Sequence, residues 1–513
     1  MKKSYSMAMA ALTMAVVPFS ANAQERQSVP FEKFKTLVDL LVSQGSISQQ
    51  QADALIADST TPVSPTIEIT QAPASATNAT AVAQGIGRRP TDDPPLALAA
   101  TATPQRQGRR PSYSAPPAAT PEAIQQAKDS GTVSVDWSEG APRFTSPGGF
   151  TFRPRGRALM DVQSTGGSRF AGRNITTTGA RGIRIGFEGT FGPHLFYQAE
   201  ADFSDGTSEI QSAYVGWRTK LRDDITTEFN FGSRLLERAV EGSTSSDQIP
   251  FMERNAVALA MSPVAGSFGV GLTSKTFGPG WHVTAQVVGE PVNGDAASDD
   301  TLTLLARAHV NPLRTDRLTF HVGGWIYHER FSDSLDALQI NLRVANRFND
   351  NLRIASGPLG NPRSSLAYGG ELGLISEGRW LFGEYGRRNI RSDALASPIA
   401  LSAWSVSGGW MLTGEDAPYS RRGGVFATPN VRHPVNDGGW GAIGALARYE
   451  GTDFADAPRG GTSNALTLGV NWYLNNIAQV MVNYIHSTTN NRTGDYQGRD
   501  TADTISTRFQ VSF

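Results

Sequence analysis

The last ten residues of the chain alternate between apolar and polar side chains up to the final phenylalanine. Successive side chains of a strand point to opposite faces, so this segment is predicted to form a strand with one apolar and one polar, cationic face. The apolar face holds Ile505, Thr507, Phe509, Val511 and Phe513, and the polar face holds Ser506, Arg508, Gln510 and Ser512. A half-buried strand of a soluble protein shares this pattern. Behind a signal peptide, however, it favours an outer-membrane β-barrel with lipid outside and water inside.

The first 23 residues are organised like a signal peptide. Lys2 and Lys3 supply the positive charge, an apolar stretch follows from Met7 to Phe19, and Ala21-Asn22-Ala23 is a small-residue cleavage site. No later segment approaches the roughly 20 continuous apolar residues that a transmembrane helix needs. These features predict export without a helical anchor, which a soluble periplasmic protein would share.

Composition also suits a barrel. The mean hydropathy is -0.29, and there are 53 glycines, as many short strands and turns would require. The chain has no cysteine, and a closed barrel does not need disulfides because every strand is already paired. Arginine supplies 39 of the 46 basic residues. Its planar fork pairs with phosphate or carboxylate in two-point geometry, although a high-GC genome would produce the same bias.

Three regions are expected after the signal peptide. Residues 24–57 are predicted to form a short helical hairpin, because Phe31, Phe34, Leu37, Val38, Leu41 and Val42 recur at helical spacing. This hairpin is either an oligomerisation or docking segment or a weakly ordered vestige. Residues 58–143 are rich in proline and alanine and are predicted to form a flexible linker. Residues 144–513 are expected to form the barrel.

About sixteen strand-like segments of roughly ten residues recur in the barrel region, and an even number is the rule for bacterial barrels. They are predicted at 150–162, 179–190, 193–204, 208–219, 224–234, 267–276, 280–290, 301–311, 316–328, 365–377, 379–390, 400–412, 439–451, 463–474, 477–487 and 501–513. A further strand-like stretch at 253–261 leaves a miscount by two open. The short turns then fall on one side and the long loops on the other, except that the long 413–438 segment falls on the short-turn side.

Many charged residues are predicted to face the lumen, because a charge on the lipid face costs several kcal/mol near the midplane. By alternation the cations are Arg157, Arg184, Arg218, Arg234, Lys275, Arg307, Arg448 and Arg508. Rings of arginine favour anions in a pore. General porins also carry basic walls, however, and Glu200, Asp202 and Glu228 are predicted to face the same lumen.

The stretch from Gly232 to Arg254 is the most specific part of the chain. It contains Gly232-Ser233-Arg234-Leu235, then Thr244-Ser245-Ser246, then Phe251-Met252-Glu253-Arg254. With Gly469-Val470-Asn471-Trp472-Tyr473-Leu474 and the final Arg508-Phe509-Gln510-Val511-Ser512-Phe513, it resembles the phosphate-selective porin O/P family over roughly residues 150–513.

The resemblance implies a homotrimeric porin of sixteen strands, in which the loop after the fifth strand folds inward and narrows the lumen. It implies a further inward fold from the long 413–438 segment. Arg234 corresponds to a constriction lysine or arginine of the family, Arg254 closes the loop motif, and Arg238 lies between them. Arginine stands where phosphate-selective members favour lysine, so the constriction would either hold phosphate too tightly for fast passage or pass larger anions.

Three functions are weighed from the sequence. The first is an anion porin for phosphate, polyphosphate or phosphorylated solutes. The second is a general diffusion porin in which the acidic residues cancel the arginines. The third is an envelope tether acting through the N-terminal segment. The sequence shows no motif for catalysis, cofactor or metal binding, and the histidines are dispersed along it. The expected partners are small anions, the outer-membrane bilayer, two further copies of the chain and the barrel-insertion machinery, which would read the strand ending in Phe513; nucleic acid is not expected.

Overall fold

The computed structural model describes residues 114–137, 140–204, 206–264, 266–294 and 300–513. The predicted signal peptide and helical hairpin lie outside these residues, as does the predicted linker up to residue 113. None of the helices in the described ranges is long and apolar enough to cross a membrane.

Sixteen antiparallel strands form a closed barrel, which confirms the predicted fold class and strand number. They are β3 (Phe150–Gly166), β4 (Thr176–Phe191), β5 (Leu195–Asp202), β6 (Glu209–Arg222), β7 (Ile225–Leu235), β8 (Phe268–Gly278), β9 (Trp281–Val288), β10 (Leu302–Val310), β11 (Leu318–Arg330), β16 (Pro362–Ser376), β17 (Arg379–Ser392), β18 (Ile399–Met411), β21 (Ala442–Asp453), β22 (Gly461–Tyr473), β23 (Ala478–Asn491) and β24 (Gly498–Ser512). The stretch at 253–261 is not a strand: it contains the short helix α2 (Ala256–Ala260), capped by the Asn255 side chain.

The barrel closes where its last strand meets its first. β24 pairs with β3 from Asp503 opposite Gly166 to Ser512 opposite Arg157. Phe513 continues this seam, because its backbone N–H donates to the Gly156 oxygen at 2.9 Å and its oxygen accepts from the Gly156 N–H at 3.0 Å. The chain end is therefore part of the closing contact.

The barrel is polar inside and apolar outside. In β24, Ile505 and Phe509 are 59% and 50% exposed, whereas Arg508 and Ser506 are 0% and 4% exposed. Thus the faces assigned to the last strand are confirmed. This is the reverse of a soluble protein, and it suits a wall with lipid outside, where charge is costly.

The described part of the predicted linker is ordered, which corrects the prediction for residues 114–137 and 140–143. It contains helix α1 (Pro121–Ser130) and the short strands β1 (Ser134–Asp136) and β2 (Arg143–Thr145). Thr120 caps the helix, Pro121 begins it and Gly131 ends it in the left-handed conformation. Because β2 also pairs with β3, the segment is joined to the barrel, and composition alone did not reveal these local signals.

The two ends of the barrel differ. At the short-turn end, brief connections such as 192–194 and 377–378 alternate with one long segment, 412–441, which carries a hairpin of β19 (Tyr419–Ser420) and β20 (Val425–Phe426). At the long-loop end, segment 331–361 folds into β12 (Ala337–Leu338), β13 (Asn341–Arg343), β14 (Arg353–Ala355) and β15 (Leu359–Gly360). Apolar residues of this segment and of α2 pack together in the largest apolar cluster of the described chain.

Candidate anion pathway

Arginines and carboxylates pair along the inner face of β3, β4 and β5. Arg184 lies directly opposite Arg157 on β3 and Asp202 on β5 in the strand register. Arg157 Nη2 is 3.1 Å from both carboxylate oxygens of Glu200, and Arg184 Nε donates to Asp202 Oδ2 at 2.7 Å. This part of the wall is therefore a ladder of ion pairs.

Acidic residues match the arginines through the whole described interior. Among the described residues, twelve arginines and fourteen carboxylates are buried. Buried charges are tolerated when they are paired and hydrogen-bonded, and here the pairs hold the wall together. The arginine content alone consequently does not make the lumen basic, and any preference for anions must arise locally.

Segment 236–267, which joins β7 to β8, is bonded to strands on both sides of the barrel seam. Arg157 on β3 donates to Ser245 Oγ at 2.6 Å and to Asp247 Oδ1 at 2.7 Å. Gln510 on β24 donates to the Asp247 backbone oxygen at 2.7 Å. Since both side chains belong to the polar face of their strands, the segment contacts that face.

A second set of bonds joins the same segment to β21. Arg448 Nη1 donates to Glu241 Oε2 at 3.1 Å, and the same carboxylate accepts the Asn255 backbone N–H at 2.6 Å. Glu450 Oε2 accepts the Ala256 N–H at 2.7 Å. Burial and the neighbouring Glu450 raise the pKa of Glu241, while Arg448 opposes this effect. The two carboxylates thus hold the start of α2 against the wall.

A cavity of about 380 Å³ opens at the long-loop end, and we call it the outer cavity. Its charged lining residues are four arginines and two carboxylates: Arg181, Arg184, Arg254, Arg347, Asp202 and Glu209. Arg181 Nε donates to Glu253 Oε1 at 2.8 Å. Burial alone would raise the pKa of Glu253, but Arg181 and Arg508 outweigh it and lower that pKa. The outer cavity is a local concentration of positive charge.

A smaller cavity of about 30 Å³, the central cavity, lies between segments 236–267 and 412–441. Its lining residues are Ser114, Arg234, Leu235, Glu237, Ser243, Ser245, Lys275, Gly423 and Val425. Lys275 Nζ lies 2.8 and 3.0 Å from the two oxygens of Glu237. Burial would raise the pKa of Glu237, yet Lys275 and His282 lower it well below its ordinary value. Two cations and one ionised carboxylate therefore face this space.

Segment 412–441 is bonded to the inner wall and to segment 236–267. Arg307 on β10 donates to the backbone oxygens of Gly423 and Gly424 at 3.0 and 2.7 Å. The Phe426 N–H donates to Thr244 Oγ1 at 3.1 Å. The two segments thus meet one another, as well as the wall.

Three of the seven histidines cluster beside this contact, although they are far apart in sequence. His282, His309 and His321 lie on β9, β10 and β11 and are almost fully buried. The His309 and His321 rings stack with centroids 5.1 Å apart, and His309 Nε2 lies 2.9 Å from the Arg421 oxygen. The described residues contain no group of side chains that could hold a metal ion. Only the strand register, which places His309 opposite His282, could have revealed the cluster.

Nine of the ten predicted pathway residues either lie in the ion-paired wall or line the cavities. Seven of them pair with carboxylates at distances up to 3.7 Å: Arg157, Arg184, Arg218, Lys275, Arg307, Arg448 and Arg508. Arg234 packs with its guanidinium 5.3 Å from the Tyr214 ring centre and lines the central cavity, and Arg254 lines the outer cavity.

The tenth residue, Arg238, has another environment. It donates to the Ala258 backbone oxygen at 3.1 Å and to Ser262 Oγ at 2.9 Å. Burial lowers its pKa to about 10. These contacts tie segment 236–267 to itself and favour a structural role for Arg238.

Sequence reasoning missed Arg181 and Arg347 of the outer cavity. Strand alternation places Arg181 and Arg184 on opposite faces, because they are three residues apart. In the structure Leu159 pairs with Gly182 and Met160 with Ala180, so Arg181 is the extra residue of a bulge. The bulge brings both arginines to one cavity. Arg347 comes from segment 331–361, where no alternation could place it.

Comparison with known proteins agrees with this architecture. Residues 152–513 match the family model described as phosphate-selective porin O and P. Porin O of Pseudomonas aeruginosa is 25% identical over 435 residues, which cover 76% of this chain and 96% of that protein. An uncharacterised protein of Caulobacter vibrioides is 24% identical over 362 residues, which cover 67% of this chain and 69% of that protein.

Among solved structures, an anion-selective porin from Comamonas acidovorans aligns with a TM-score of 0.44 and 13% identity, over 71% of this chain and all of that one. The trimer form of OmpT from Vibrio cholerae aligns with a TM-score of 0.44 and 12% identity, over 71% of this chain and 99% of that one. The family match covers well over half of the chain and the whole barrel. The chain therefore belongs to the phosphate-selective porin O and P family of the bacterial outer membrane.

Proposed function

We propose that the chain forms a passive channel that conducts small anions, with inorganic phosphate or phosphorylated solutes as its substrates. The single observation that carries this proposal is the outer cavity. Its four arginines come from β4, segment 236–267 and segment 331–361, so three separate parts of the chain contribute cations to one space. Convergent cations in a cleft concentrate anions and raise their rate of arrival.

The route then continues to the central cavity, where segments 236–267 and 412–441 meet. Arg234 and Lys275 supply cations there, and Glu237 keeps Lys275 paired. A channel conducts well when its sites attract the ion strongly enough to admit it and weakly enough to release it. A cation that already has a carboxylate partner binds a passing anion weakly, because the anion must compete with that partner. We infer that narrowing by the two segments, together with these paired cations, favours fast passage.

General diffusion is the second candidate, and the charge balance of the interior favours it. Fourteen buried carboxylates face twelve buried arginines among the described residues. If a passing ion experienced the average charge of this whole wall, the channel would select only weakly between anions and cations. The two candidates therefore differ in whether the charge of the outer cavity or the overall charge of the interior sets the ion selectivity of the channel.

The deciding experiment measures reversal potentials in a potassium chloride gradient across planar bilayers, with phosphate then titrated in. We compare wild type with Arg347→Gln, which removes one cation from the outer cavity, and with Arg343→Gln as the matched control. Arg343 lies in the same segment, but it pairs with Asp350 at the exposed surface. Anion preference and phosphate block that weaken only in Arg347→Gln support the proposal. Cation preference would refute the proposal, and so would equal reversal potentials and equal phosphate block in wild type and both variants.

We further propose that the channel assembles as a homotrimer with its N-terminal segment in the periplasm. Polyphosphate is included among its substrates because several arginines line one continuous cavity. The exposed apolar β24 face and the terminal Phe513 support recognition of the last strand by the barrel-insertion machinery. The mass of the detergent-purified protein measures the oligomeric state, and protease access in intact cells measures the side on which the N-terminus lies.

A further inference from the structure

The segment before α1 lies against cationic side chains of the inner wall. Arg218, on the polar face of β6, donates through Nη2 to the Pro116 backbone oxygen at 2.5 Å. Pro116 is buried. Ser114, two residues earlier, lines the central cavity together with Arg234 and Lys275. Residues 114–117 therefore reach from the short-turn end toward the middle of the barrel.

The other end of this segment is held in place. Arg143 Nη1 donates to the Pro117 oxygen at 3.3 Å, and Thr120 caps α1 directly afterwards. Arg143 itself begins β2, which pairs with β3 through Phe144 opposite Phe152. The segment is thus anchored to the barrel wall on one side, while Ser114 reaches the cavity on the other.

We propose that residues 114–117 form a strap that obstructs the anion route and that anions displace it. This proposal rests on the proposed function, because it assumes that anions cross the central cavity. The Pro116 backbone oxygen accepts a hydrogen bond from Arg218, as a phosphate oxygen would. The two prolines fix their backbone and lower the entropy lost when the strap is seated.

The strap binds the cationic side chains of the cavity only weakly. Residues 114–117 carry no charge, so their bonds to arginine lack the contribution of an ionised acceptor. The Arg218 guanidinium already strengthens its bond to Pro116, but an ionised phosphate oxygen adds an attraction between opposite charges that a neutral carbonyl oxygen lacks. Phosphate therefore has the advantage at Arg218, Arg234 and Lys275, and its arrival releases the strap.

The test exploits the absence of cysteine from the full chain. The variant Ser114→Cys with Ser243→Cys places two thiols on the lining of the central cavity, where a reducible bis-maleimide can join them. The control is Gln125→Cys with Asp129→Cys, whose side chains are neighbours on the exposed face of α1 and 2.7 Å apart in the native protein. Crosslinking is followed by mass, and single-channel current by planar bilayer recording.

We expect crosslinked Ser114→Cys/Ser243→Cys channels to lose at least about half of their conductance, because a fixed strap removes a binding step of the route. Reduction restores the current, and the crosslinked control keeps it. In the uncrosslinked Ser114→Cys channel, inorganic phosphate speeds labelling by a small maleimide. A crosslink that forms without loss of current overturns the proposal, and so does failure of the crosslink to form in correctly inserted channels.

Reversal potentials recorded on the same channels separate the two proposals. If the channels prefer cations but still lose current on crosslinking, residues 114–117 obstruct the channel. The anion route and the displacement of the strap by anions are then both refuted. Unchanged current in anion-selective channels would refute the strap and leave the anion route in place.

Discussion

Replacing Glu237 by glutamine should make the channel bind phosphate more tightly and conduct it more slowly. Glu237 is the carboxylate that pairs with Lys275 in the central cavity, at 2.8 and 3.0 Å. Its pKa lies well below the ordinary value, because Lys275 and His282 outweigh the opposing effect of burial. The carboxylate is therefore charged at neutral pH and repels any anion that approaches the lysine.

Coulomb's law gives the size of this repulsion. An anion in contact with Lys275 lies about 6 Å from the carboxylate, and at an effective dielectric constant of about 20 to 80 two unit charges at this distance repel by about 0.7 to 2.8 kcal/mol. A middle value of about 1.4 kcal/mol corresponds to about a tenfold change in a dissociation constant. Glu237→Gln should therefore lower the phosphate concentration that half-blocks chloride current by about tenfold.

The assay is a phosphate titration of single-channel chloride current at neutral pH. Asp350→Asn is the control, since it removes the same charge from a surface ion pair with Arg343. The phosphate concentration that half-blocks the current should be the same in Asp350→Asn as in wild type. In Glu237→Gln the residence time of phosphate should lengthen. A block constant that is unchanged in Glu237→Gln, or one that shifts equally in both variants, would show that anions do not pass close to Lys275.

Three further outcomes follow from contacts of the interior. Arg157→Ala should remove the ion pair with the buried Asp247 and destabilise the docking of segment 236–267 by about 3 to 5 kcal/mol; increased current noise and faster tryptic cleavage of the segment would report this loss. The pKa of Glu253 is lowered in the folded channel, so the ionised carboxylate stabilises the fold fully at any pH above its ordinary pKa near 4.5. This stabilisation is lost as the pH falls toward the lowered pKa. Current noise should therefore stay constant from pH 7 to about 5 and rise below about pH 4. Phe513→Ala should lower the temperature at which the barrel band unfolds on a semi-native gel and slow insertion, because the ring packs on Gly156 at the seam; an unchanged gel shift would contradict that role.

The barrel itself could be predicted because its signal repeats along the chain. Alternation in the last strand places Arg508 inside and Phe509 outside, and the lipid environment leaves little freedom for another arrangement. Where the pattern contains an extra residue, the same reasoning fails. Arg181 sits in a bulge, so its side chain joins Arg184 although alternation separates them.

The candidate site was harder to predict, because it depends on pairing between distant segments. Arg234 is recognisable from its motif, but nothing local shows that Glu237 pairs with Lys275, which is 38 residues away. His282, His309 and His321 look dispersed in the sequence, but the strand register places His309 opposite His282, and the rings of His309 and His321 stack. The order in residues 114–137 and 140–143 was missed because proline and alanine are frequent there, whereas the Thr120 cap and the short strand β2 decide the local structure.

Closure of the barrel has a consequence for the order in which it assembles. Neighbouring strands such as β22 and β23 are joined by a turn of four residues, whereas the seam pair of Arg508 and Asp161 is separated by 347 positions. Bringing together chain segments that far apart costs about 5 kcal/mol of loop-closure entropy, against about 1 kcal/mol for the short turn. Hairpins should therefore form first and the seam last. Until β24 pairs with β3, the growing sheet has two unpaired edges, so the period of greatest vulnerability to aggregation ends only when this seam closes.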